Sequence, residues 1–165
     1  ADTNVKDFPS AERLVAVSKS CVRVARLFGF DPKVAFLSHS TFGKPISRNT
    51  EHVRKAIEIL KKEKVNFNFD GEMQPDVALN PMYKEIYPFS KIVGNANILI
   101  MPALHSAAIS TKLMKSFGDA KLIGPLLIGL DLPIEVAPLR SSTSDILNLA
   151  SVAAYSSDVI KYEKN

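Results

Sequence analysis

Two short runs of consecutive apolar residues constrain the fold of this chain more than any other feature. Lys33–Ser38 follows an Asp-Pro pair, and Asn97–Met101 ends at Pro102. Runs of this length without polar alternation are typical of strands that are buried on both faces, as in a parallel sheet. Stretches with helical periodicity separate them. The sequence therefore predicts an α/β fold with a mostly parallel sheet and helical crossovers.

Four segments have apolar residues at steps of three and four and are predicted to be helices. The first begins with Ser10 as its N-cap and ends at Gly29, and the second is capped by Asn49 or Thr50. The third spans residues 104–117 before Gly118, and the fourth spans residues 143–162. Their predicted inner faces are Leu14, Val17, Cys21, Val24 and Phe28 in the first, Val53, Ala56, Ile57 and Leu60 in the second, and Ile146, Leu149, Ala150, Ala153 and Ile160 in the fourth.

Shorter elements complete the predicted fold. Asn66–Asp70 alternates polar and apolar residues and is predicted to be an edge strand, followed by a short helix from Glu72. Lys121–Leu130 and Ile134–Ala137 are predicted to be two further strands. The 165 residues contain no repeat, low-complexity tract or linker, so we expect a single domain over residues 1–165.

Charge and cysteine content exclude several classes of function. The 21 basic and 17 acidic residues are spread along the chain, so no basic stripe for nucleic acid is predicted. The single cysteine, Cys21, excludes a disulfide scaffold and is expected to be a small buried core residue. No apolar run is long enough for a membrane span, and the first residues lack the apolar core of a signal peptide. We expect a cytoplasmic domain without membrane or nucleic-acid partners.

Ligands of open α/β sheets bind at the carboxyl ends of the strands, where three loops carry polar residues. These loops are Ser38–Lys44, Pro102–Ser106 and Pro138–Asp145. The first gathers hydroxyls, a glycine and a lysine that could bind a phosphate or a carboxylate, although the sequence alone favours a solvated turn. The predicted ligand-binding residues are Ser38, Ser40, Thr41, Gly43, Lys44, His105, Ser106, Ser141, Ser142 and Asp145.

Other chemistries receive little support from the sequence. His39 and His105 adjoin serines, but no third group completes a triad, and the three histidines lack the spacing of metal ligands, so no metal site is predicted. Ser142 and Asp145 have the spacing of a capping box at the start of the last helix. The same helix N-terminus could also bind an anion.

Six segments together resemble the phosphate acetyl/butyryl transferase family. They are Arg26–Ala35, Ser38–Gly43, Phe69–Asp76, Asn95–Ser106, Ile123–Leu130 and Ser144–Ala150. Three of these, Asp70–Gln74, Met101–Ser106 and Ile123–Leu127, look most like the C-terminal transferase-like domain of bacterial NADP-dependent malic enzymes. The resemblance implies one lobe of a bilobal transferase fold like that of isocitrate and isopropylmalate dehydrogenases, and a chain that is part of a larger protein.

Active members of this family exchange an acetyl group between coenzyme A and phosphate. The resemblance assigns Asp145 to a family aspartate, but Pro138 and Leu139 align with the family's Ser-Arg pair, and Phe42 stands where free transferases tend to carry lysine. A local gap would place Arg140 in the arginine's role. Proline and leucine cannot bind phosphate, so we expect this domain to be non-catalytic.

The resemblance thus implies a regulatory and assembly domain of a malic enzyme that decarboxylates malate to pyruvate. It would bind acetyl-CoA or another acyl or phosphorylated metabolite and form a homo-oligomer, while NADP and a divalent metal would be held elsewhere in the parent protein. The alternative is a catalytic transferase lobe in which Asp145 is the base or thiol-orienting group and Arg140 the phosphate clamp. A third hypothesis is a surface for oligomerisation alone.

Overall fold

A computed structural model describes residues 6–117, 122–128, 130 and 132–163 of the chain. These residues form two compact units, one that ends at Ser110 and one that begins at Thr111. The single domain expected over residues 1–165 stays a prediction.

A three-stranded parallel sheet organises the first unit. The strands are β1 (Lys33–Leu37), β2 (Asn68–Met73) and β3 (Ile98–Ile100), in the order β2-β1-β3. The predicted α/β class with a parallel sheet is confirmed, as is the edge position of β2. The short helix predicted to start at Glu72 begins only at Pro75, because Glu72 and Met73 continue β2 alongside Phe36 and Leu37.

The sheet separates two hydrophobic cores. Helices α1 (Ala11–Leu27) and α2 (Glu51–Glu63) pack with Val34 and Phe36 on one face. On the other face Ala35 and Leu37 pack with the short helix α3 (Pro75–Leu79), which a 3₁₀ turn (Pro81–Lys84) follows. Alternate side chains of β1 therefore enter opposite cores, and all but the first residue of the strand are buried.

Helix α1 is rotated by about one residue relative to its predicted inner face. Its buried residues are Ala11, Leu14, Val15, Ser18 and Val22. Phe28 is exposed, and Val17 and Cys21 are partly buried against the core, so the expectation of Cys21 as a buried core residue is confirmed only in part. The face shifts because α1 contacts both α2 and β3. The Ser10 cap is confirmed, since its side chain accepts a hydrogen bond from the Arg13 amide at 3.3 Å.

Helix α2 has the inner face that its periodicity predicted: Val53, Ala56, Ile57 and Leu60 are all buried. Of the two predicted caps, Thr50 occupies the N-cap position, whereas Asn49 lies inside a 3₁₀ turn (Arg48–Thr50). The Thr50 side chain does not bond the first turn of α2.

The second unit departs further from the predictions. Helix α4 (Leu104–Phe117) has the predicted bounds and includes the last residues of the first unit and the first residues of the second. Helix α5 (Thr143–Glu163) matches the last predicted helix. Gly118, the predicted end of α4, lies outside the described residues. The strands predicted over Lys121–Leu130 and Ile134–Ala137 are absent from the described residues 122–128, 130 and 134–137. An apolar run forms a strand only where a neighbouring ladder satisfies its backbone, and none reaches these residues.

The predicted stripe of α5 is also largely wrong. Leu149 is buried, but Ile146 is 51% exposed and Ala150 is exposed, while Ala153 is half-buried. The side chain of Ile160 lies outside the described part of the chain.

Candidate functional site

A cavity of about 850 Å³ lies in the first unit, at the carboxyl ends of β1 and β3. Ser38 and His39 line it from the end of β1, and Pro102 lines it from the end of β3. We call it the sheet-edge cavity; its other lining residues are Phe8–Glu12, Arg48–His52, Lys55, Ala103, His105 and Ser106. Two of the three predicted ligand loops therefore meet at one site. Three of the predicted binding residues, Ser38, His105 and Ser106, line it.

Three helices direct their N-terminal ends toward this cavity. The first turns of α1, α2 and α4 all contribute lining residues. Helix N-termini carry partial positive charge and free amide donors, and α2 lacks a side-chain cap for its own. This arrangement favours an anion in the cavity.

Charged side chains at the cavity carry both signs. Arg48 is exposed, and Lys55 forms an ion pair of 2.8 Å with Glu51. The hydrogen bond to Lys55 lowers the pKa of the Glu51 carboxyl and raises that of the Lys55 ammonium, so the two charges balance locally. Glu12, whose pKa is lowered by a backbone hydrogen bond and by Ser10, is the second acid at the cavity. Arg48 is thus the basic lining residue best placed to attract a ligand anion.

All three histidines of the chain line the sheet-edge cavity. The Nε2 atom of His52 lies 3.0 Å from the Pro102 carbonyl, which can only accept, so Nε2 carries the proton. The His105 ring packs against Phe8 with centroids 5.8 Å apart. Among the described residues, no group of three His, Cys, Asp or Glu side chains could hold a metal ion.

Two other groups of the Ser38–Lys44 loop, the Ser40 hydroxyl and the Gly43 amide, bind a buried carboxylate instead of lining this cavity. Glu72 has a fully buried side chain, and its Oε1 accepts hydrogen bonds from Ser40 Oγ at 2.8 Å, from the Gly43 amide at 3.2 Å and from Arg54 at 3.1 Å. The loop thus binds a carboxylate, as its composition predicted, but the carboxylate belongs to the chain itself.

Other predicted residues of this loop are also used by the fold. Thr41 Oγ1 accepts a hydrogen bond from the Gln74 amide at 3.2 Å, and Phe42 packs against the rings of Tyr87 and Phe89. Lys44 is exposed and lies, with Gly43 and Arg54, beside a separate groove of about 570 Å³.

The third predicted loop belongs to the second unit. Its capping box is confirmed: the Asp145 amide donates to Ser142 Oγ at 3.2 Å, and the Ser142 amide donates to Asp145 Oδ2 at 2.9 Å. Ser141 Oγ donates to the Pro138 carbonyl at 2.7 Å. Asp145 therefore has a structural role at the start of α5.

Neither Leu139, which aligns with the family's arginine, nor Arg140, the proposed phosphate clamp, is buried in this loop. Leu139 is fully exposed, at 104% relative accessibility, and Arg140 is exposed beside it. A binding role for Arg140 stays a prediction.

Sequence reasoning missed several residues of the first unit. Glu72 was expected to begin a short helix after Gly71, and nothing in its spacing marks it as buried. Arg54 follows Val53 on α2, and only the position of α2 over the loop brings its guanidinium to Glu72. Arg48, His52 and Lys55 reach the cavity because α2 begins beside the end of β3. These contacts depend on long-range packing, which local patterns do not encode.

This fold and these loops are found in a known family. A model of the family described as "Phosphate acetyl/butaryl transferase" matches residues 1–154, and the chain belongs to this family. The NADP-dependent malic enzyme of Rhizobium meliloti (strain 1021) is 46% identical over 155 residues, which are 94% of this chain and 20% of that protein. The phosphate acetyltransferase of Bacillus subtilis (strain 168) is 33% identical over 155 residues, 93% of this chain and 48% of that protein.

Solved structures show the same likeness. A phosphotransacetylase from Streptococcus pyogenes superposes with a TM-score of 0.90 at 34% identity, over 96% of this chain and 48% of the other. The chain therefore spans about a fifth of its malic enzyme relatives and about half of its transferase relatives. The described residues include no helix that is long and apolar enough to cross a bilayer.

Proposed function

We propose that this chain is a regulatory, ligand-binding domain of an NADP-dependent malic enzyme, and that it binds acetyl-CoA or a related acyl or phosphorylated metabolite without turning it over. The parent protein would decarboxylate malate to pyruvate, with NADP and a divalent metal bound outside this domain. The relatives named malic enzyme support this parentage. Its cytoplasmic location stays a prediction.

The sheet-edge cavity carries the binding part of the proposal. A volume of about 850 Å³ suits a small metabolite or one end of a larger one. The N-terminal ends of three helices and the side chain of Arg48 supply the positive potential that a phosphate or carboxylate needs.

The contacts that the Ser38–Lys44 loop makes within the protein support binding without turnover. Phosphoryl and acyl exchange need cations and free donors aimed at the reacting oxygens. Here the Ser40 hydroxyl is fully buried and committed to Glu72, and Phe42 contributes an aromatic ring to a neighbouring cluster. The loop has no free hydroxyl at position 40 and no cation at position 42 for such chemistry.

Titration calorimetry on the intact malic enzyme that contains this domain, with acetyl-CoA as the probe, tests the proposal when it is paired with malate turnover. We expect saturable heat and a change in turnover, and about a tenfold weaker affinity in the Arg48→Ala variant, since a charge-assisted contact is worth about 1.5 kcal/mol. Arg23→Ala, an exposed arginine on α1 outside the cavity, is the matched control. Binding without any change in turnover would defeat the regulatory role.

The transferase alternative predicts a different result. If this domain were a catalytic lobe, with Asp145 as base and Arg140 as clamp, the intact protein would form acetyl phosphate from acetyl-CoA and phosphate. The likeness to phosphate acetyltransferases supports testing it. Brisk acetyl phosphate formation that Arg140→Ala abolishes would favour it over the regulatory role.

Exposed apolar residues of the second unit favour an additional role in assembly. Isolated apolar side chains on a surface need no explanation, but many within one short stretch are typical of an interface. We propose that a second copy of the protein covers them. The large exposed apolar residues between positions 111 and 157 are Leu113, Met114, Phe117, Leu122, Ile123, Leu127, Ile128, Leu130, Leu132, Ile134, Val136, Leu139, Ile146, Leu147 and Tyr155.

A further inference from the structure

Ser38 connects the sheet-edge cavity to the buried carboxylate of Glu72 through one other hydroxyl. Ser38 Oγ lies 3.2 Å from Ser40 Oγ, and Ser40 Oγ lies 2.8 Å from Glu72 Oε1. Ser38 lines the cavity, and Ser40 is completely buried behind it. The direction in which these hydroxyls donate therefore decides what Ser38 can offer to a ligand.

Glu72 sets that direction. Its Oε1 faces three donors: the Ser40 hydroxyl, the Gly43 amide and the Arg54 guanidinium. The amide and the guanidinium can only donate, and the Glu72 carboxylate, which is paired with the Arg54 guanidinium, has no proton to give, so Oε1 only accepts. The one hydroxyl proton of Ser40 is therefore given to Glu72.

As a consequence, the hydroxyl proton of Ser38 is also used in a hydrogen bond within the protein. Since Ser40 has no second proton, the contact between the two hydroxyls requires Ser38 to donate to Ser40. Ser38 Oγ also accepts a hydrogen bond from the Ser40 amide at 3.2 Å. A hydroxyl has one proton and two lone pairs, so a single lone pair is all that remains on Ser38.

We infer that Ser38 is a specificity-determining residue of the sheet-edge cavity, which presents a hydrogen-bond acceptor and so selects a ligand that carries an N–H or O–H donor at that point. The inference rests on the proposed ligand-binding function of the cavity. An ionised carboxylate or an unprotonated phosphate oxygen has no proton to give and is repelled from Ser38. Such an anion binds near Arg48 and the helix ends, while an amide or hydroxyl group of the same molecule contacts Ser38.

Neutron crystallography of the full chain tests the hydroxyl directions whether or not a ligand binds. We expect the deuterium on Ser38 Oγ to point at Ser40 Oγ, and that on Ser40 Oγ to point at Glu72. A deuterium on Ser38 that points into the cavity would overturn the inference, although the cavity could still bind its metabolite.

Anion titrations of variants test the consequence for binding, with sulfate as the probe, because sulfate carries no proton at neutral pH. Ser40→Ala removes the acceptor that holds the Ser38 proton, which is then free to donate, so we expect sulfate to bind about fivefold more tightly than to the unmodified chain. The double variant Ser38→Ala/Ser40→Ala has the same missing acceptor and no Ser38 hydroxyl, so the gain should disappear.

The two experiments separate the possible failures. A gain that persists in the double variant, or no gain in a folded Ser40→Ala chain that binds sulfate, contradicts the role of Ser38. If neither chain binds sulfate or acetyl-CoA, the proposed function fails, and the neutron structure still decides the direction of the hydrogen bonds.

Discussion

At the scale of single residues, Gly71 shows how closely β1 and β2 approach each other. Its φ is 142°, and a Cβ atom there would lie 2.6 Å from the Phe36 carbonyl oxygen and 3.0 Å from Phe36 Cβ. Both neighbours belong to the central strand and cannot move aside cheaply. We expect Gly71→Ala to lower the free energy of unfolding by about 3 kcal/mol, from overpacking and backbone strain together.

Denaturant unfolding measures this loss, and Gly29→Ala is its matched control. Gly29 also has a positive φ, 78°, but nothing lies within 4 Å of its missing Cβ. We expect Gly29→Ala to lower the free energy of unfolding by only about 1 kcal/mol, because alanine is strained in the left-handed conformation. Equal losses in both variants would show that the close approach to Phe36 does not matter.

Glu135 is a second informative residue, in the second unit. Burial raises the pKa of its carboxyl, against the opposing effect of a hydrogen bond from the Leu127 amide. The folded chain therefore holds this proton more tightly than the unfolded chain does, and stability falls as pH rises from the ordinary glutamate pKa through the raised one.

Replacing this carboxyl with an amide should remove the pH dependence that it contributes. We expect Glu135→Gln to be about 0.3 kcal/mol more stable than the unmodified chain at pH 7, a small gain because water still screens the half-buried group. The gain should vanish near pH 4, where the carboxyl is protonated in both states. Thermal unfolding at the two pH values measures it, and a pH-independent difference would contradict the burial argument.

At the scale of elements, Arg54 joins α2, the 3₁₀ turn before it and β2. Its guanidinium donates to Thr50 Oγ1 at 2.6 Å, to the Ser47 carbonyl at 3.0 Å and to Glu72 at 3.1 Å. Glu72 is fully buried, and its Oε2 has no hydrogen-bond partner among the described residues, so Arg54 is the cation on which this carboxylate depends.

Removing Arg54 should therefore be costly. We expect Arg54→Ala to destabilise the chain by about 3 kcal/mol, because it leaves a buried carboxylate without its cation. Arg54→Lys keeps the charge but loses the fork of donors, and should cost about half as much. Chemical denaturation of both variants provides the measurement, and an unchanged midpoint for Arg54→Ala would show that Glu72 does not need its partner.

The elements themselves divide into those that sequence patterns predict and those that they do not. The inner face of α2 follows from periodicity, since the apolar residues at steps of three and four are all buried. The face of α1 was predicted about one residue off because its contacts with α2 and β3, which its own sequence does not encode, decide which side is buried. The strands expected beyond Lys121 failed because apolar composition does not supply a partner ladder.

At the scale of the whole molecule, the exposed apolar residues of the second unit lead us to expect an oligomer in solution. We expect the protein to self-associate, with a second copy over this surface, and Leu147→Lys to weaken the association at least tenfold because it places a charge among apolar groups. Leu147 is 62% exposed on α5. Sedimentation velocity over a range of concentrations measures the effect.

An exposed leucine of the first unit provides the control. Leu79 is 52% exposed on α3, and Leu79→Lys should leave the association unchanged if the interface lies on the second unit. A monomeric unmodified protein at every concentration would contradict the assembly role.

The sequence by itself determined the α/β class, the three parallel strands of the first unit, the approximate bounds of the long helices and two of the loops that meet at the sheet-edge cavity. Short-range periodicity, caps and family motifs encode these features. Only the tertiary structure decided that Ser40 and Gly43 bind Glu72 rather than a ligand, and that Arg48 and the three histidines line one cavity. Those contacts join residues that are far apart in the chain. A buried hydrogen bond between such residues produces no periodic pattern in the sequence around either of them.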